Sequence, residues 1–192
     1  DWLKAHKEDP EARFVMDSLL VRKDLGKQAA SALALAIDWL EAHKEDPEAR
    51  FVLDSLLARQ DLGEQAAPAL ALAIDWLKAH KAAPEASFVF KRLLARKDLG
   101  EQAAPALALA IDWLKAHKAA PEASFVFKRL LARQDLGEQA APALALAIDW
   151  LKAHKEAPEA RFVFNPLLAR QDLGEHETPV MALAINWLEI FK

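Results

Sequence analysis

Cysteine and tyrosine are absent from this 192-residue chain, and glycine occurs only five times. Without cysteine there is no disulfide framework, no thiolate metal ligand and no cysteine nucleophile. Hydroxyl side chains are scarce: Ser18, Ser31, Ser55, Ser87, Ser124 and Thr178, none of them in a nucleophile-elbow or phosphate-loop motif. Positive charge is not in excess. Against 25 basic residues stand 29 acidic ones, a net charge of -4, so no overall basic field draws in nucleic acid. No apolar run approaches the ~20 residues needed to span a bilayer. The first residue is Asp1, with neither an initiator methionine nor a signal-type segment, which reads as a piece of something longer.

What is present is repetition. Asp-Trp-Leu occurs at Asp1, Asp38, Asp75, Asp112 and Asp149 and returns as Asn186-Trp187-Leu188, always 37 residues apart. The chain therefore reads as one array of five units (1–37, 38–74, 75–111, 112–148 and 149–185), with 186–192 ending the last helix. Units 75–111 and 112–148 differ only at Lys97 against Gln134. Such a period identifies a supersecondary element stacked on copies of itself.

The second unit spells out the element. Asp46-Pro47-Glu48 carries the signals of a helix start, and Ala49, Val52, Leu53, Leu56 and Leu57 form a stripe on one helical face. This helix A is expected over about 47–60, ended by Asp61-Leu62-Gly63 with Gly63 left-handed. Helix B follows, with Pro68 in its first turn and Ala69 to Lys81 behind it. The alternating Ala-Leu run predicts helix rather than strand, since neither residue is β-branched. Trp76 belongs to the core between units, and His80 to a helix end. The fold predicted is all-α, an αα-hairpin solenoid of about ten helices plus a truncated one at the N-terminus.

The Asp61-Leu62-Gly63-Glu64 turn, the small-large-small set Ala66, Leu70 and Ala73, and the Asp-Pro between units resemble the tetratricopeptide (TPR) class of αα repeats. A unit of that class has about 34 residues. The resemblance implies a right-handed superhelix whose concave surface is lined by helix A, with ligand contacts at its outward positions. Similar long units also form the sensor arrays of bacterial signalling ATPases.

The copies disagree mainly in helix A. Arg13, Arg50, Ser87, Ser124 and Arg161 share one position. Four residues on stand Asp17, Asp54, Lys91, Lys128 and Asn165, followed by Ser18, Ser55, Arg92, Arg129 and Pro166. On a helical wheel Arg50 and Asp54 face outward, opposite Val52 and Leu56, within i,i+4 pairing distance. The resemblance implies binding residues at Arg13, Asp17, Arg50, Asp54, Ser87, Lys91, Arg92, Ser124, Lys128, Arg129, Arg161 and Asn165, the alternative being that outward helix positions drift because nothing constrains them. Lys91, Arg92, Lys128 and Arg129 make the middle of the array basic, which suits a protein or peptide partner with an acidic segment.

Other chemistries fit less well. His6, His43, His80, His117 and His154 lie one repeat apart, so they do not converge on a metal ion. Paired variable residues invite comparison with modular RNA readers, but the acidic second unit counts against nucleic acid. No cofactor is implied. The sequence reads as a non-enzymatic, cytoplasmic scaffold for a protein or peptide. The alternatives are the sensor segment of a larger signalling ATPase and a designed repeat without a natural ligand. Unit five, with Pro166 set to break its helix A, reads as a degenerate terminal cap. The other end is expected either to continue upstream or to expose an apolar surface that pairs with another copy.

Overall fold

The computed structural model describes His6, Asp9 and residues 11–192. The truncated N-terminal helix expected from sequence lies outside the described residues. Among these residues the protein is all-helical: ten α-helices, no strand, and a short 3-10 turn before each even-numbered helix. The chain forms two compact units, Asp1–Ala106 and Leu107–Lys192. The first holds α1 (Ala12–Val21), α2 (Ala29–Ala42), α3 (Ala49–Ala58), α4 (Ala66–Ala79) and α5 (Ala86–Leu93). The boundary falls within α6 (Ala103–Ala116), and the second unit continues with α7 (Ala123–Leu131), α8 (Ala140–Ala153), α9 (Ala160–Leu168) and α10 (Glu177–Ile190). Odd-numbered helices are the A helices and even-numbered ones the B helices.

Within each unit the layers follow the repeat. In the first, α1 packs on α3, α3 on α5, and α2 on α4; in the second, α7 packs on α9 and α8 on α10. The stripe Val52, Leu53, Leu56 and Leu57 is buried to 1% exposure or less, as is Trp76. Each such side chain stabilises by roughly 1.5–3 kcal/mol relative to exposure. The Ala-Leu run of helix B is helical because Leu70, Ala73, Ile74 and Leu77 all find partners, on neighbours to both sides.

The helix boundaries differ from the sequence expectation. The Asp46-Pro47-Glu48 segment is a turn ahead of α3, with the Glu48 N–H donating to Asp46 Oδ1 at 2.8 Å and the Ala49 N–H to Asp46 O at 3.1 Å. Helix A ends at Ala58, before Asp61-Leu62-Gly63, because Arg59 is extended (φ -77°, ψ 139°). Gly63 is left-handed (φ 55°) as expected, but it opens the 3-10 turn Gly63–Gln65 leading into α4. Nor does Pro166 break α9, which runs through it to Leu168. Pro166 lies in the closing turn, so its missing N–H removes one bond near the helix end.

Tryptophan and histidine act together. Trp76 Nε1–H donates to Asp46 O at 3.0 Å, tying α4 to the turn before α3; Trp39 and Trp187 make the same bond to Asp9 O and Ala157 O. The His80 ring stacks on Trp76 with centroids 4.2 Å apart, and its Nδ1–H donates to Trp76 O at 2.9 Å. The imidazole thus gives the Trp76 carbonyl, which already accepts from the His80 N–H at 2.9 Å, a second donor at the helix end.

A buried arginine joins successive repeats. Arg96 is 2% exposed. Its Nη1 donates to Leu57 O (2.9 Å) and Arg59 O (2.5 Å) of the preceding repeat, while Nε and Nη2 grip the Asp98 carboxylate (2.9 and 2.5 Å). Arg59 does the same to Leu20 O, Arg22 O and Asp61, and Arg170 to Leu131 O, Arg133 O and Asp172. The C-terminal carbonyls of each such A helix are completed by the repeat that follows.

The last helix departs from the expected cap. A cap would turn a polar face outward, yet Met181, Ile185 and Leu188 of α10 are exposed. Among the described residues no helix is long and apolar enough to cross a membrane.

Candidate interaction surface

The exposed side of the A helices carries one constant residue. Phe14, Phe51 and Phe88 hold the same position in α1, α3 and α5, and keep 56%, 43% and 52% of their surface in water. Scattered exposed apolar residues are ordinary, but a phenylalanine repeated at one outward position makes a row. Cations frame it. The Arg13 guanidinium lies 4.5 Å from the Phe14 ring centroid and 5.8 Å from that of Phe51, and Arg50 lies 4.4 Å from Phe51. These are cation–π distances.

Between the rings is a groove of about 390 Å³ lined by Asp17, Arg50, Phe51, Asp54, Ser55, Phe88, Lys91 and Arg92. Five of the residues expected from sequence meet here: Asp17, Arg50, Asp54, Lys91 and Arg92. A second hollow of about 590 Å³ adjoins it, sharing Asp54, Ser55 and Arg92 and reaching Leu20, Val21 and Ala58. Arg13 is half-buried beside the groove and bonds to Glu48.

In the second unit Phe125 and Phe162 lie with ring centroids 5.5 Å apart. Lys128 Nζ is 5.1 Å and the Arg161 guanidinium 4.8 Å from the Phe162 centroid. Lys128, Arg161 and Asn165 are exposed and Arg129 is half-buried.

Two expectations are corrected. Ser87 and Ser124 are buried, so they offer nothing to a partner; Ser124 Oγ–H turns back to Pro121 O at 2.7 Å. Their position borders the neighbouring repeat. A short serine fits beneath it, whereas Arg13 and Arg50 escape only by extending their long side chains outward. The charged stripe also pairs along the stack rather than along one helix. Asp54 bonds not Arg50 but Arg92 of the next repeat, at 2.8 and 3.0 Å, and Asp17 accepts from Ser55 in the same register. Arg50 instead lies 3.7 Å from Glu48. Arg92 is thereby neutralised from within, and the groove is less basic than the sequence implies.

Sequence reasoning missed the phenylalanine row, although its signal is plain: Phe14, Phe51, Phe88, Phe125 and Phe162 never vary at an outward position, while the residue before each of them does. Among the described residues no group of three or more histidines and carboxylates could hold a metal ion. The five lattice histidines include His43, His80 and His154, each bound through Nδ1 to a tryptophan carbonyl. No protein-family model, curated protein or solved structure matches the chain significantly.

Proposed function

We propose that the protein is a non-enzymatic, cytoplasmic scaffold that holds a protein or peptide segment along the exposed face of its A helices. The observation that carries this is the row of outward phenylalanines flanking a groove with Arg50 and Lys91 at its rim. Rings at fixed repeat spacing favour bulky apolar side chains on the partner, and the rim cations favour carboxylates beside them. Arg92 contributes mainly by holding Asp54, so the partner's acidic residues would meet Arg50, whose own carboxylate neighbour Glu48 stands off at 3.7 Å. The face consists of helices anchored by the buried core, so binding would need little rearrangement.

A displayed random-peptide library tests the proposal. Selection on the immobilised protein should enrich sequences in which aromatic or aliphatic residues alternate with acids. The double variant F51S/F88S, with helicity unchanged by circular dichroism, should lose those peptides. Equal binding by the variant, or enrichment of basic peptides, would overturn the proposal.

A further inference from the structure

The larger of the two hollows, about 590 Å³, lies at the C-terminal ends of α1 and α3, and its whole lining belongs to the first compact unit. Leu20, Val21 and Ala58 give it an apolar wall, and Val21 keeps 66% of its surface in water. That exposure belongs to the stack itself: Ala58 and Gln60, at the positions of Val21 and Lys23 but in a repeat flanked by α1 and α5, are exposed as well. Ser55 leaves the space open. One repeat on, the same position is Arg92, whose side chain lies against Asp54, 38 residues back. Ser55 donates to Asp17 in that same register, but a hydroxyl does not span what a guanidinium spans.

The charges around the hollow cancel in pairs, with one exception. Arg59 holds Asp61, Arg92 holds Asp54, and close by Arg22 holds Asp24. Lys23 also lines the hollow, and among the described residues it has no ion-pair partner. An apolar wall with a single positive charge left over matches an apolar side chain next to a carboxylate.

We propose, resting on the peptide-binding reading above, that this hollow anchors the bound segment: a bulky apolar residue of the partner enters between Val21 and Ala58, and an acidic residue beside it meets Lys23. Asp54, Ser55 and Arg92 line both hollows, so a segment held between Phe51 and Phe88 passes the Asp54–Arg92 pair to reach this one. Ser55 is then the residue that decides specificity, because its counterparts in α5 and α7 are Arg92 and Arg129.

Phenylbutyrate carries this chemistry in one small molecule and serves as the probe. Added to the 192-residue chain, it should shift the methyl NMR signals of Leu20, Val21 and Ala58 and saturate at about millimolar concentration. Phenylbutylamine should bind several-fold more weakly, and K23E should reverse that order. S55R sets the next repeat's own residue at this position, facing Asp17 as Arg92 faces Asp54, so circular dichroism should be unchanged while the probe no longer binds. S55A keeps the space open and should bind as the wild type does. F51S/F88S should also bind the probe, since neither ring lines this hollow. Library peptides selected on the wild type should bind S55R about tenfold or more weakly, the loss of one buried apolar side chain. Equal binding of those peptides to S55R would overturn the anchor and leave the phenylalanine reading standing. Loss with S55R but not with F51S/F88S would do the reverse. Shifts that never saturate, or an amine that binds as well as the acid, would also overturn the anchor. If S55R fails to fold, K23E still decides, because Lys23 is exposed.

Discussion

Asp54 of α3 and Arg92 of α5 face each other across two repeats and form a two-pronged ion pair, Nε to Oδ1 at 2.8 Å and Nη2 to Oδ2 at 3.0 Å. Both side chains are about one-third exposed or more, so water screens the pair. A double-mutant cycle of D54N and R92Q should give a coupling energy of about 0.2–1 kcal/mol that shrinks in high salt. A coupling of several kcal/mol in urea melts would mean that the pair is far better shielded than its exposure indicates.

Arg96 should matter much more. Its guanidinium is buried and satisfies two main-chain carbonyls as well as Asp98. Replacement by alanine should cost roughly 2–3 kcal/mol in chemical denaturation. Lysine should recover little of that loss, because a single ammonium cannot serve carbonyls and carboxylate from one planar fork.

Acid should undo the same joints. Hydrogen bonds from Arg59, Arg96, Arg133 and Arg170 hold the carboxyls of Asp61, Asp98, Asp135 and Asp172 below the ordinary carboxylate range. A lowered folded pKa gives stability that is fully present above the unfolded value of about 3.9 and is lost as pH falls through the folded values. Urea midpoints should therefore be flat near neutrality and drop below about pH 4. D98N should be less stable at neutral pH and show a shallower acid limb.

Gly100 isolates a backbone effect. Its φ is +53°, and a β-carbon added there would meet nothing within 4 Å. G100A should thus cost only the left-handed penalty, about 1 kcal/mol, and G100N less. A cost of several kcal/mol in thermal or urea melts would require a steric clash that the surrounding space does not contain.

The repeat and its two helices were legible because the 37-residue lattice repeats Trp76, Gly63, Val52, Leu56 and Leu57 in every copy. The partners of charged residues were not. A helical wheel treats helix A as a cylinder against one layer, but α3 has α1 on one side and α5 on the other. That second neighbour buries the position of Ser87 and redirects Asp54 from Arg50, four residues away, to Arg92, 38 residues away. The arginine joint had a sequence signal, since Arg22, Arg59, Arg96, Arg133 and Arg170 each precede an aspartate by two residues. What the pattern does not encode is that Nη1 binds main-chain carbonyls, because a carbonyl has no letter in the sequence. The apolar α10 face was hidden for a related reason. Met181, Ile185 and Leu188 repeat the lattice, and only the stack shows which copy of the lattice is left uncovered.

Because the joint at Arg59, Arg96 and Arg170 reads peptide groups rather than side chains, it does not discriminate between neighbours. At this joint one 37-residue segment can follow another, whereas the Asp54–Arg92 pair forms only where the aspartate of one repeat meets the arginine of the next. Duplicating or excising a whole segment would lengthen or shorten the protein while keeping this arginine-to-carbonyl joint. The variable residues of helix A would then be rearranged as interchangeable cassettes, giving evolution or an engineer new surfaces from an unchanged fastening.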